Sequence, residues 1–136
     1  MTRALIVIDM PGGFHGLAFW GPTTNPECEG NAASLIDAWI ASGEPIVVVH
    51  HDSLSPGSPL HPSNPGNALL AFGIQTTMCV ETTTRMAGNL GYEVTLPLDA
   101  TRTFDMAADI AGVGAVARTA AELMAATALN LQAGGF

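Results

Sequence analysis

Two continuous apolar runs near the start of the chain predict strands of a parallel sheet. They cover residues 4–8 and 45–49, and hydrophobicity that does not alternate is typical of strands buried on both faces. Between them, apolar residues recur at helical spacing from about residue 25 to Ser42, and we expect Gly43 to end this helix. The strand, helix and strand form a βαβ unit with connections of ordinary length.

The rest of the chain continues this alternation. In order, the pattern predicts a loop rich in Pro, Ser and Gly at 53–67, an apolar strand tail at 68–74, a helix from Thr76 to Gly88 or Gly91, a short buried strand at 94–96 and a helix at 119–131. We expect Thr76 or Thr77 to cap the first of these helices, and Thr119 with Glu122 to form a capping box on the second. The order predicts a single domain, residues 1–136, with an α/β fold in which helices cover both faces of an open parallel sheet.

The composition excludes several classes of partner. Of the 136 residues 48% are apolar, and 12 acidic residues against four basic ones give a net charge of −8. All four basic residues are arginines, too few and too dispersed for a nucleic-acid surface or for attachment to anionic membranes. No apolar stretch approaches the roughly twenty residues of a membrane span.

Two further expectations follow from composition. The two cysteines, Cys28 and Cys79, do not make a disulfide framework, which favours free thiols and a cytoplasmic location. The apolar excess over charge favours self-association as a homodimer or a higher homo-oligomer.

Candidate chemistry lies at the carboxyl ends of the predicted strands, where ligands bind in open α/β sheets. Asp9 follows the first strand directly, and Cys79 lies at the start of the mid-chain helix. A helix N-terminus is expected to lower the pKa of a thiol, and a buried carboxylate beside it is a natural general base. The alternative is an inert core thiol and an aspartate that caps a loop.

The sequence around these residues resembles that of the isochorismatase-like cysteine hydrolases. This superfamily includes nicotinamidases and N-carbamoylsarcosine amidases. The similar segments are 73–83 around Cys79, 5–10 with Phe14, 51–53 and 56–60 after the second strand, and 91–94 with 98–101 after the cysteine helix. The resemblance covers nearly the whole chain. It implies a three-layer α/β fold, in which an open parallel sheet with Rossmann-type strand order has helices on both faces.

The resemblance also implies roles for individual residues. Cys79 would be the nucleophile and Asp9 the proton acceptor, and a non-proline cis peptide bond would fall at Ile74–Gln75. Backbone N–H groups of Gln75 and Cys79 would form the oxyanion hole. Phe14 and Trp20 on the first loop are expected to bind substrate, the alternative being that they close the sheet edge.

The sequence departs from the family pattern in one respect. The family's catalytic lysine is absent, because the chain contains no lysine, and residues 67–72 are too few for the strand and helix that would carry it. We therefore expect a family member that lacks an internal segment and a C-terminal strand. Arg85 and Arg102 are expected at the surface or in an interface rather than in place of that lysine.

The histidines offer other chemistry. His15, His50, His51 and His61 are candidate bases for Cys79, and His51 with Asp52 follows the second strand, although ordinary loop hydrogen bonds are the favoured interpretation. The same histidines and Asp52 offer metal ligands. Adjacent histidines after a strand point to opposite faces, so we expect no metal and no cofactor.

Two functions from different classes remain open. The first is a cysteine hydrolase that cleaves a small amide or amide-like C–N bond through a thioester at Cys79, with Asp9 as base. The second is a catalytically inactive or truncated relative that serves as a binding or oligomer-forming subunit. A small-molecule substrate is the partner that the first function requires.

Overall fold

A computed structural model describes residues 3–9, 17–50, 53–58 and 73–135 of the chain. The first predicted unit is confirmed. Strand β1 (Leu5–Ile8) pairs in parallel with β2 (Ile46–Val49), from Leu5 opposite Ile46 to Ile8 opposite Val49.

Two helices lie between β1 and β2. They are the short α1 (Leu17–Trp20) and the long α2 (Cys28–Ser42). Gly43 ends α2 in the left-handed conformation, with φ of 71°, as its position predicts.

A second parallel pair lies beside the first. Strand β3 (Gly73–Ile74) contacts β1 and pairs with β4 (Thr101–Arg102), so these four strands build the parallel part of an α/β fold. A 3₁₀ turn (Leu98–Ala100) leads into β4.

The mid-chain helix begins as one π-helical turn, Thr76–Val80, and continues as α3 (Glu81–Asn89). The prediction that Thr76 or Thr77 caps it is wrong. The residue before the turn is Gln75, whose side chain makes no capping bond, and the Thr76 hydroxyl instead donates to Thr101 Oγ1 at 2.9 Å. The Thr76 hydroxyl is therefore bonded to Thr101 of β4 and does not cap the helix.

Three strands, β4 to β6, were not predicted, and one predicted strand does not form. Residues 94–96 form no strand in the described structure, and β3 pairs with β4, where the sequence predicted a loop. Strands β5 (Met106–Ile110) and β6 (Gly114–Arg118) form an antiparallel hairpin with mostly exposed residues. Its alanine-rich sequence has weak strand propensity, which hides it from a reading of pattern.

The last helix and the core complete the fold. Helix α4 (Ala120–Gly134) carries the predicted capping box, in which the Thr119 side chain accepts from the Glu122 N–H and the Glu122 carboxylate accepts from the Thr119 N–H. Cys28, Ile74 and Phe104 form a buried cluster against which Trp20 packs. Within the described ranges, no helix combines the length and apolar character needed to cross a membrane.

Candidate active site

Asp9 is held at the carboxyl end of β1 in an unusual conformation. Its backbone N–H donates to the Val49 carbonyl at 3.0 Å, its φ is +46°, and it is 4% exposed. A left-handed, non-glycine residue with a buried carboxyl group is costly and persists where the surroundings enforce it. Its Oδ1 atom is buried without a hydrogen-bond partner among the described residues.

Cys79 lies in the π-helical turn that precedes α3. The turn is anchored at its start, where the Gln75 carbonyl accepts from the N–H groups of Met78 at 3.1 Å and Val80 at 3.3 Å. The Thr83 hydroxyl donates to the Cys79 carbonyl at 2.7 Å. Single π-helical turns are frequent at functional sites.

The peptide bond Ile74–Gln75 is cis, at the position that the resemblance implies. It joins the end of β3 to the extended residue Gln75, which precedes the turn with ψ of 142°. The cis bond therefore lies directly before the segment that presents Cys79.

The structure brings Asp9 and Cys79 together. Burial raises the pKa of the Cys79 thiol, and the Asp9 carboxylate raises it further, as a hydrogen-bond acceptor for the thiol and through its negative charge. A backbone hydrogen bond acts in the opposite direction and is the smallest of these effects. The expectation that the helix N-terminus lowers this pKa is therefore wrong in direction, because burial and Asp9 outweigh it.

A cavity of about 540 Å³ opens between the ends of β1 and β2 and the Cys79 helix. It is lined by Ile8, Asp9, Val49, His50, Met78, Cys79, Thr82 and Thr83. The volume suits a small organic ligand, and an apolar wall with a few polar groups is typical of such sites.

Thr82 and Thr83 line the cavity but were not singled out from the sequence. They follow Cys79 by three and four positions, which places all three on one face of a helix, and this spacing was a usable signal. His50, which the sequence offers as a candidate base, follows β2 directly and lines the cavity. Met78 lines the cavity and is 44% exposed.

Trp20 lies outside the residues that line this cavity. It stacks on Phe104, with ring centroids 5.2 Å apart and planes 24° apart, and makes an edge contact with Phe19 at 4.9 Å. This contact corresponds to the alternative interpretation, a loop residue that closes the sheet edge. Phe14, His15, His51, Asp52 and His61 fall outside the described residues.

Arg85 and Arg102, the arginines weighed as replacements for the absent lysine, each pair with a glutamate. Arg85 pairs with Glu81 one helical turn earlier, at 2.9 Å. Arg102 is 7% exposed and binds the Glu29 carboxylate and the Asn25 carbonyl. The expectation of a surface or interface position is therefore wrong for Arg102, because the chain that enters α2 folds over it.

The described residues contain no metal site of the kind that the histidines suggested. Across the described ranges, no three His, Cys, Asp or Glu side chains converge in a way that could hold a metal ion. The predicted ligand candidates His51, Asp52 and His61 lie outside those ranges.

Comparison with known proteins shows two similarities to one family. Residues 63–128 match the family model of the isochorismatase domain. The crystal structure of a protein from Chromobacterium violaceum, assigned to the isochorismatase family of hydrolases, is similar to this chain with a TM-score of 0.82 and 29% sequence identity. The similarity covers 96% of this chain and 84% of that one.

The parallel strand pairs, the helices between them and these two matches define an α/β protein with the isochorismatase fold. The domain match and the structural match support the isochorismatase-like superfamily. They also support a hydrolase function in general.

Proposed function

We propose that the protein is a cysteine hydrolase that cleaves the C–N bond of a small amide or amide-like compound. The observation that carries the proposal is the buried Asp9 carboxylate beside the Cys79 thiol at the wall of one cavity. A nucleophile with a base in reach is the arrangement that covalent catalysis requires.

Because the pKa of Cys79 is raised, the reaction needs a general base, and Asp9 fills this role. Because burial and the neighbouring carboxylate keep the thiol protonated at neutral pH, the proton must leave as the sulfur attacks. Asp9 accepts that proton while the S–C bond forms and the carbonyl π electrons move to the oxygen.

The first half-reaction ends in a thioester. As the oxyanion collapses, the C–N bond breaks, and Asp9 returns the proton to the departing nitrogen. The oxyanion is expected to accept hydrogen bonds from the backbone N–H groups of Gln75 and Cys79.

Water completes the cycle. Asp9 takes one proton from the water, and the hydroxyl oxygen bonds to the acyl carbon. The S–C bond then breaks, Asp9 returns the proton to the sulfur, and the carboxylic acid is released with the thiol and the Asp9 carboxylate regenerated. The sum is one amide and one water converted to one acid and one amine or ammonia.

The predicted substrate-binding residues, partners and location belong to the same proposal. Phe14 and Trp20 stay candidates for substrate binding, with Trp20 acting through its packing on Phe104. We propose a small-molecule substrate, a cytoplasmic location and a homo-oligomer, without a nucleic-acid or membrane partner, and without a cofactor.

The experiment that tests the function measures ammonia release from a panel of short primary amides. The wild type is compared with Cys79→Ala, and Cys28→Ala serves as the matched control because it removes the other thiol. We expect turnover that Cys79→Ala abolishes and Cys28→Ala retains, together with an acyl adduct on Cys79 in intact-mass spectra. Equal turnover in Cys79→Ala, or no turnover of any amide, would contradict the proposal and favour a non-catalytic subunit.

A further inference from the structure

We propose that the cavity selects amides that carry a protonated amine, and that the carboxylate of Asp9 is the counter-ion of that amine. This inference rests on the proposed function and adds the class of substrate. It begins from Asp9, which is 4% exposed and whose Oδ1 atom has no hydrogen-bond partner among the described residues. The carboxylate accepts a hydrogen bond from the Cys79 thiol, but its buried Oδ1 atom is left without a donor, which is costly. A ligand that supplies an N–H donor with positive charge removes that cost.

None of the chain's arginines lines the described part of the cavity. The sequence contains no lysine, and its four arginines all lie in the described structure and outside the cavity lining. Arg85 pairs with Glu81, and Arg102 with Glu29. Arg118 ends β6 and donates to the Ala117 carbonyl, while Arg3 precedes β1 and is exposed.

The other groups at the cavity fit an amine joined to an amide by a short aliphatic link. Val49 and Met78 supply apolar surface for methylene groups, and the hydroxyls of Thr82 and Thr83 lie on the same wall. Among the described residues, the titratable groups that line it are Asp9, His50 and Cys79. The net charge of −8 also favours the approach of a cation over that of an anion.

A bound cation would also assist the reaction. When the thiol proton moves to Asp9, the carboxyl group becomes neutral and the negative charge passes to the sulfur and then to the carbonyl oxygen. A substrate ammonium that lies beside both residues stabilises this developing charge. A neutral amide of equal size supplies no such charge.

The test compares three primary amides of similar length: β-alaninamide with an ammonium tail, butyramide with a neutral tail and succinamate with a carboxylate tail. Binding is measured by calorimetry on Cys79→Ser, which leaves Asp9 in place and prevents turnover. The measurement is made at pH 8, where imidazoles are ordinarily neutral. We expect β-alaninamide to bind about tenfold or more tightly than butyramide, and succinamate to bind most weakly.

Two further variants assign the preference to Asp9. In Asp9→Asn with Cys79→Ser the preference for β-alaninamide should fall to about twofold or less, while Asp109→Asn, an exposed acid on the hairpin, should retain it. Equal binding of the three amides, no binding of any of them, or an unchanged preference in Asp9→Asn overturns the inference. If Asp9→Asn does not fold, the comparison of the three amides decides alone.

The two proposals fail in different ways. Cys79-dependent hydrolysis of neutral amides without a charge preference overturns the substrate class and leaves the hydrolase intact. A charge preference in binding without hydrolysis of any amide retains the cation site and overturns the hydrolase.

Discussion

Burial raises the pKa of the Cys79 thiol, and the adjacent Asp9 carboxylate raises it further. The two residues come from opposite halves of the sequence, and the contact between β1 and β3 brings their elements together. A thiol that stays protonated cannot attack unless a base removes its proton. The same carboxylate that suppresses ionisation of the thiol in the resting protein is therefore the group placed to receive its proton.

Replacing Asp9 should separate thiol ionisation from catalysis. In Asp9→Asn the negative charge is gone, so the pKa of Cys79 should fall, and alkylation of Cys79 by iodoacetamide at pH 7.5 should become several-fold faster. Amide turnover should drop by about 10²–10⁴-fold, because the base is missing. Peptide mass spectrometry follows alkylation, with Cys28 as internal reference and Asp109→Asn as control. Slower alkylation together with lost turnover would show that Asp9 only shapes the site.

The second prediction concerns the contribution of the buried Arg102 to stability. Arg102 donates to the Glu29 carboxylate and, through Nη2, to the Asn25 carbonyl at 3.0 Å. Arg102→Lys cannot reproduce this planar set of bonds and should lower the free energy of unfolding by about 2–3 kcal/mol. Arg85→Ala removes a half-buried pair within α3 and should cost about 0.5–1 kcal/mol. Urea unfolding compares them, and equal losses would contradict the assignment.

Cys28 should make stability depend on alkaline pH. Burial raises its pKa from the ordinary 9.0 to about 11, although the charge of Arg102 opposes this. As pH rises, the thiol ionises in the unfolded chain before it ionises in the folded protein. The full free energy of unfolding is therefore present below about pH 9, and part of it is lost as pH rises toward about 11. The loss should reach about 2–3 kcal/mol.

Cys28→Ala is the matched control for this alkaline effect. The variant should remove that part of the slope of unfolding free energy against pH, while its other titrating groups remain. A slope identical to the wild type between pH 9 and 11 would show that Cys28 ionises equally in both states.

The exposed hairpin β5–β6 provides a test of self-association. Ile110 is 45% exposed and Val113 is 72% exposed, and an isolated two-stranded hairpin is marginally stable in water. We expect light scattering to give at least twice the chain mass of 14.0 kDa. Ile110→Asp should lower that mass, and Leu54→Asp, on an exposed loop, should leave it unchanged. A monomer at all concentrations would contradict the expected oligomer.

Much of the fold was predictable because its signals are local. The run before Asp9, Gly43 after α2, and Thr119 with Glu122 are read within a few residues, and each occurs where predicted. The candidate site was also within reach, since the ends of parallel strands meet at one edge of the sheet.

The parts that failed depend on distant contacts. The start of a helix favours a lower thiol pKa, but the burial of Cys79 and its distance from Asp9 are set by tertiary packing. Nothing local in the sequence reveals that Trp20 stacks on Phe104, and its role in substrate binding stays a prediction. Arg102 looked exposed on a polar segment, because nothing local reveals that Glu29 lies beside it.

The capping box of α4 makes the last prediction. The Thr119 hydroxyl accepts from the Glu122 N–H at 3.3 Å, and Thr119→Ala should lower stability by about 1 kcal/mol, whereas Thr119→Ser should retain the cap. Hydrogen bonds from the backbone and side chain of Thr119 lower the pKa of Glu122. The stabilisation by this carboxylate is therefore present above the ordinary glutamate pKa and is lost as pH falls below it. Thermal unfolding should show Glu122→Gln destabilised at pH 7 but matching the wild type at pH 3, and an equal difference at both pH values would contradict the role of its charge.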